Sequence, residues 1–477
     1  MSFTSPVFLA FFAVTALIYF LLPKRGQWVC LLLASYIFYL WQAPVFGLLL
    51  AGTTVLTYVL ARLIAKNGRR LWLVIGCVIQ FGLLFFYKYL EFFLGLFMEL
   101  LHLGTPPSLG LALPIGISFF TFAVTGYLFD VYRGKTETET NFLRYAVFVS
   151  FFPSLMAGPI GRAREFLPQL SKKHRFRLSC FKAGILRFLF GMLEKMVIAD
   201  TIAIAVNTAY GGAELSPLTW LFVIVLYSLQ IYFDFAGYSH MALGIAAALG
   251  FRLPENFAAP YYSLSVRSFW KKWHMSLTAW LREYLYFPLG GSRKGALRTY
   301  ANTLIVFAVS GLWHGAGLTY LCWGILNGLY QIIERLFDPV KTRLDARCGR
   351  ALTLARRTLS ALLTFAAITC AWVLFRSSSL SQAADVFANI LRGLRTDFGT
   401  LEPAALGLRT AHLLVIGAGL LFCGIADLLS VRGHDLTKLG STIVPYYILI
   451  YVLILAVLLF GVYGEGFNPQ DFLYFQY

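Results

Sequence analysis

Residues 299–333 read TYANTLIVFAVSGLWHGAGLTYLCWGILNGLYQII, about 35 mostly apolar positions lying between Arg298 and Arg335. A helix crosses a bilayer core with about 20 such residues, so this run is too long for one span. Both flanks are basic, and Gly311, Gly315 and Gly317 cluster near the middle. The pattern predicts two helices broken at the glycines, a hairpin that enters from one face and returns to it. Irregular backbone at membrane depth is tolerated only inside protein or around a water-filled cavity.

The rest of the chain has the same character. Its 477 residues are 59% hydrophobic and 17% aromatic, and only 13% are charged, about half the share in soluble globular chains. Such a surface belongs in a membrane. The 40 Lys and Arg exceed the 22 Asp and Glu, giving a formal charge of +18 that must sit in loops and reads first as positive-inside bias. The basic residues are spread between apolar runs instead of forming one face, which argues against nucleic-acid binding. The seven cysteines are odd in number, widely spaced and without a C-x-x-C pair, so they read as small buried hydrophobes.

Further candidate spans are 7–22, 28–41, 45–65, 71–90, 112–131, 181–210, 218–236, 358–375, 411–429 and 443–463. The first is followed by Lys24 and Arg25 and lacks a cleavage site, so it reads as a retained span. Basic residues close the first and third runs, while the turn Gln42-Ala43-Pro44 is uncharged; this puts the N-terminus outside. Residues 145–161 lie between Arg144 and a basic run containing Arg162, Arg164, Lys172, Lys173, Arg175 and Arg177, so both ends look cytoplasmic. In 263–289, Arg267, Lys271, Lys272 and Arg282 are interleaved with Phe269, Trp270, Trp273, Leu277, Trp280, Leu281 and Tyr284. That stretch reads as an amphipathic helix on the cytoplasmic interface, or as an ordinary headgroup anchor of Trp and Lys. A polar outer loop at 377–409 holds Arg376, Arg392 and Arg395 at or beside it, against the charge rule.

Four histidines, His102, His174, His412 and His434, fall near loops or span ends and read as solvated. His240, His274 and His314 do not. His314, in Gly311-Leu312-Trp313-His314-Gly315, is expected at the hairpin apex, where an ionisable residue is by default a functional hypothesis. Burial disfavours imidazolium, leaving a neutral ring able to take a proton from a hydroxyl; the alternative is a buried histidine that ties two helices together. Asp234, Asp200 and the pair Glu194-Lys195 also lie in apolar runs and read as paired structural charges. No metal-spaced Cys/His set, P-loop, dinucleotide fingerprint or G-x-S-x-G elbow occurs.

Taken together, the motifs resemble the membrane-bound O-acyltransferases. They are Phe269-Trp270-Lys271-Lys272-Trp273-His274-Met275-Ser276-Leu277, Phe287-Pro288-Leu289-Gly290-Gly291 and Gly311-Leu312-Trp313-His314-Gly315. Leu33 to Tyr39, Leu113 to Phe122, Phe152 to Ile160 and Tyr232 to Ser239 agree, and the likeness is greatest to the bacterial alginate, peptidoglycan and cellulose O-acetyltransferase branch. The resemblance implies an all-α polytopic bundle of about eleven to thirteen membrane helices, some re-entrant, around a central tunnel, forming one transmembrane domain over 1–477.

The resemblance also implies roles. His314 becomes the catalytic histidine and His274 the second one, toward the cytoplasmic mouth. The donor is a cytoplasmic thioester, acetyl-CoA or an acyl-carrier protein, with no permanently bound cofactor or metal. Arg267, Lys271, Lys272, Arg293 and Lys294, within the basic segment 263–298, then hold coenzyme A phosphates or an acidic carrier; anionic lipid headgroups are the competing ligand. The aromatic tail in 464–477, Phe472-Leu473-Tyr474-Phe475-Gln476-Tyr477, resembles tails of this branch in which the last tyrosine relays the acyl group, the alternative being an interface anchor. A separate extracellular or periplasmic transferase of the SGNH-hydrolase type is the implied partner for polysaccharide O-acylation. D-alanyl transfer to teichoic acid and non-enzymatic transport stay open at this point.

Overall fold

The computed structural model describes residues 1–104, 108–347, 350–433, 443–463 and 472, and among these the chain is helical with no strand. Among the described residues five helices are long and apolar enough to cross a membrane: Pro44–Asn67, Arg70–Lys88, Pro217–Ala248, Leu352–Arg376 and Thr410–Val431. Pro6–Leu21, Ile117–Tyr132 and Val444–Phe460 are shorter apolar helices. The expected runs 28–41 and 181–210 are helical too, but the helix holding the first, Lys24–Gln42, opens on Lys24 and Arg25, and the second contains Lys182, Arg187, Glu194, Lys195 and Asp200. Exposed apolar side chains such as Leu17, Leu48 and Leu421 cover the outer faces, as expected where lipid and not water is the neighbour.

Two compact units form. The first holds Met1–Phe188, Tyr238–Glu255 and Phe472; the second holds Leu189–Gly237 and the described residues of 256–467. In the first unit Phe3, Phe8, Phe38 and Phe152 pack with ring centroids 4.8 to 6.4 Å apart. Several threonines in its helices bond to their own helix backbone, because an unpaired donor in an apolar interior costs several kcal/mol. Thr54, Thr57 and Thr125 each donate to the carbonyl four residues back at 2.7 Å, and the Tyr145 hydroxyl pairs with Thr57 at 2.7 Å. The stretch 145–161, which lies between basic flanks, is broken: helix Phe142–Ser150 ends, and Phe152 N–H donates to Ser35 Oγ at 3.2 Å before the short helix Phe152–Leu155.

Residues 377–409 are not irregular throughout: Ser379 caps a helix Leu380–Gly393 by accepting from Gln382 N–H at 3.1 Å, and this helix buries Ala383 and Val386. Of the described cysteines only Cys423 is buried, the other five being half-buried, because their helices turn one face outward.

Candidate active site

The hairpin of 299–333 forms in the second unit as helices Ala296–His314 and Leu318–Arg347, with the break at 315–317. The first helix stops because Gly315 turns extended, with φ −159° and ψ 150°. The two helices then cross at van der Waals distance. A methyl group on Gly311 would lie 2.2 Å from the Tyr320 carbonyl oxygen, and one on Gly324 2.2 Å from that of Phe307. Only glycine permits so close a backbone approach, the device by which apolar helices associate when no hydrophobic drive operates between them. His314 thus ends its helix with its ring among Trp313, Trp323 and Phe375, centroids 5.0 to 5.2 Å away, and is 4% exposed.

The opposite wall departs from the single amphipathic helix expected over 263–289. Helix Val266–Lys272 begins at Ser265, whose hydroxyl accepts from Ser268 N–H, while Glu334 accepts from the backbone of Val266 and Arg267. It ends at Trp273, and His274 takes a left-handed conformation, φ 43° and ψ 55°, before helix Met275–Leu281 and a π-helical turn at Arg282–Tyr286. Such a conformation costs a non-glycine residue about 1–3 kcal/mol. Asn256 offsets that cost. Its carbonyl accepts from Met275 N–H at 2.9 Å, and its Oδ1 accepts from Ser276 Oγ at 2.6 Å and lies 3.3 Å from His274 Nδ1. With Oδ1 as acceptor, Nδ1 is the protonated nitrogen and Nε2 the acceptor of a neutral ring. Burial pushes the ring's pKa down to about 3, so it is uncharged at neutral pH.

His274 and His314 line one cavity of about 280 Å³, their ring centroids 6.5 Å apart. Arg267, Lys271, Arg282 and Arg335 also line it. Of the five basic residues expected to hold phosphates, the structure therefore brings two to the cavity. Arg267 is engaged by carboxylates, Nη2 with Asp338 Oδ1 at 2.5 Å and Nε with Glu334 Oε2 at 3.5 Å, whereas Lys271 is exposed. Lys272, Arg293 and Lys294 lie elsewhere on the surface of 263–298 and do not line it. The sequence marks Arg335 only as a basic flank of 299–333, and nothing in it points to Asn256 or to Asn327, which is fully buried and accepts from Trp270 Nε1 at 3.1 Å.

Lys195 bridges Asp234 at 2.5 Å and Asp200 at 2.8 Å, all three buried, which is the paired structural charge expected there. His240 lies in the first unit and does not line the histidine cavity. Tyr477 lies outside the described residues. Phe472, from the same tail, packs edge-on against Tyr238 at 4.8 Å.

The family model described as MBOAT, membrane-bound O-acyltransferase family, matches residues 27–353. The probable alginate O-acetylase AlgI of Pseudomonas syringae pv. tomato is 37% identical over 92% of this chain and 84% of its own length. The peptidoglycan O-acetyltransferase of Helicobacter pylori is 35% identical over 82% of this chain and 79% of its own. A teichoic acid D-alanyltransferase of Bacillus subtilis is 29% identical over 47% of this chain and 59% of its own.

Proposed function

The chain belongs to the membrane-bound O-acyltransferase family, and on that premise we propose that it passes an acetyl group from cytoplasmic acetyl-CoA to the outside, for O-acetylation of an extracellular or periplasmic polysaccharide. The observation that carries this reading is the convergence of His274 and His314, from two separate motifs, on one cavity with Lys271, Arg282 and Arg335 along its lining. An O-acyltransferase is a membrane enzyme, and the transport reading gives way to it. The D-alanyl reading ranks second, since those relatives match less than half of the chain.

In the proposed reaction the His314 ring takes the proton of a hydroxyl as its oxygen attacks the thioester carbonyl. The new C–O bond forms, the C–S bond breaks, and the imidazolium returns the proton to the coenzyme A thiolate. His274 orients the donor with its neutral ring. Lys271, Arg282 and Arg335 meet the coenzyme A phosphates, with Arg267, Lys272, Arg293 and Lys294 in a wider basic field; an acyl-carrier protein is the alternative donor. Both termini lie outside in this scheme, and the family's tunnel links the cavity to both aqueous sides. Tyr477 then serves as the acyl relay, its phenol acylated at the cavity and unloaded by a separate SGNH-type transferase.

Incubation of the detergent-purified protein with labelled acetyl-CoA tests donor and base together. Label should accumulate on wild-type protein and be absent from His314→Ala. Equal labelling of the two would overturn the assignment of the base, and labelling only from an acyl-carrier thioester would replace the donor.

A further inference from the structure

The first unit contains a cavity of about 530 Å³ that shares no lining residue with the histidine cavity. Lys172, Lys173, Arg175, Arg177 and Arg252 line it, together with His174. No carboxylate is among its lining residues, whereas Arg267 at the other cavity is held by Glu334 and Asp338. Like charges on one short stretch repel, and a slack loop would let them splay apart.

This loop is not slack. The buried Gln27 side chain grips the backbone of His174 at two points, Nε2 donating to its carbonyl at 2.7 Å and Oε1 accepting from its N–H at 3.1 Å. Gln169 grips the backbone of Arg252 in the same way, at 2.9 and 2.8 Å. The His174 ring lies 2.9 Å from the Gln169 carbonyl and stacks on Phe251 at 4.4 Å. Trp28 Nε1 adds a bond of 2.8 Å to the Leu170 carbonyl. The scaffold thus holds cations around a space and supplies no counter-charge from its own walls, the arrangement of an anion site.

Its neighbours indicate what the anion is attached to. Phe20 and Ala248 are among the apolar residues of the lining, Phe176 stands edge-on to Phe20 at 5.4 Å, and Phe176 and Leu178 are 53% and 57% exposed. Leu17 and Leu21, on the helix that ends beside Phe20, are exposed as well. We propose that this cavity binds the phosphate-bearing headgroup of an anionic phospholipid, with its acyl chains along those apolar side chains. The same phosphate chemistry could be offered by coenzyme A, but that soluble ligand has no use for the apolar rim.

Native mass spectrometry of the full chain with equimolar phosphatidylglycerol and phosphatidylcholine tests this. Wild-type protein should retain phosphatidylglycerol preferentially. Lys172→Gln/Lys173→Gln/Arg175→Gln should reduce that preference about tenfold, and Arg252→Gln, on a separate segment, should reduce it in the same direction. Lys66→Gln/Arg69→Gln/Arg70→Gln removes the same charge from exposed positions that do not line the cavity and should change nothing. Equal retention of both lipids by wild type, an equal loss in the Lys66 set, or displacement of the lipid by coenzyme A would each overturn the proposal; the wild-type arms decide it even if a variant fails to fold.

Discussion

Oδ1 of Asn256 lies 3.3 Å from Nδ1 of His274, and the same oxygen takes the Ser276 hydroxyl bond at 2.6 Å. A side chain 18 residues upstream thereby sets which nitrogen of the ring carries the proton. Replacing it with a carboxylate adds a negative charge beside the imidazole and favours the protonated form. Asn256→Asp should therefore introduce an acid limb into the pH–rate profile of acetyl transfer, rising toward neutrality, where wild type has none from this ring. Superimposable profiles would show that the contact has no electrostatic role.

The same ring links stability to pH. Its folded pKa of about 3 lies below its ordinary 6.5 because of burial, so between these values the unfolded chain holds the extra proton. That contribution is fully present above 6.5 and is lost as pH falls toward 3, by about 1.4 kcal/mol per pH unit. His274→Asn, which tolerates the left-handed backbone, should flatten the fall of Tm between pH 6.5 and 5 in detergent. An unchanged slope would exclude His274 as its source.

The crossing of the hairpin helices depends on missing side chains. Gly311→Ala or Gly324→Ala places a methyl group 2.2 Å from a carbonyl oxygen and should cost about 1–3 kcal/mol or more, as overpacking does. Gly52→Ala, where nothing lies within 4 Å, should be neutral or slightly stabilising. Thermal denaturation of the three variants checks the contrast.

Lys195 is held between two buried carboxylates. Lys195→Met strands Asp234 and Asp200 in the interior, a loss of about 3–5 kcal/mol, and should abolish the folded peak on size-exclusion chromatography. Adding Asp234→Leu should restore part of it. No recovery in the double variant would mean that the lysine does more than neutralise.

Tyr477→Phe should leave membrane expression intact and abolish polysaccharide acylation, with labelled acetate no longer found on the C-terminal peptide. Normal acylation in that variant removes the relay step from the scheme while leaving His314 as base.

The hairpin was legible because its length, its flanking arginines and its glycines are all local features of 299–333. The kink at His274 was not, since the apolar positions Trp270, Trp273, Leu277 and Trp280 keep a helical rhythm across it. What breaks that rhythm is Asn256, and a tertiary hydrogen bond leaves no periodic trace. The sequence offers Arg267 to phosphate for the same reason: its partners Glu334 and Asp338 stand about 70 residues downstream. The polarity of 377–409 describes the outer face of helix Leu380–Gly393 but not the stripe of Ala383 and Val386 that anchors it.

Contact of bare backbone at Gly311 and Gly324 has a mechanical outcome. Two rods touching at their spines can neither slide nor splay without tearing that seam, so the hairpin behaves as a rigid post. In the proposed reaction, the widening needed to admit a bulky thioester would come from the facing wall, where short helices, a π-helical turn and two successive left-handed glycines at 290 and 291 supply the joints. The base would then stay fixed while the entrance flexes around it.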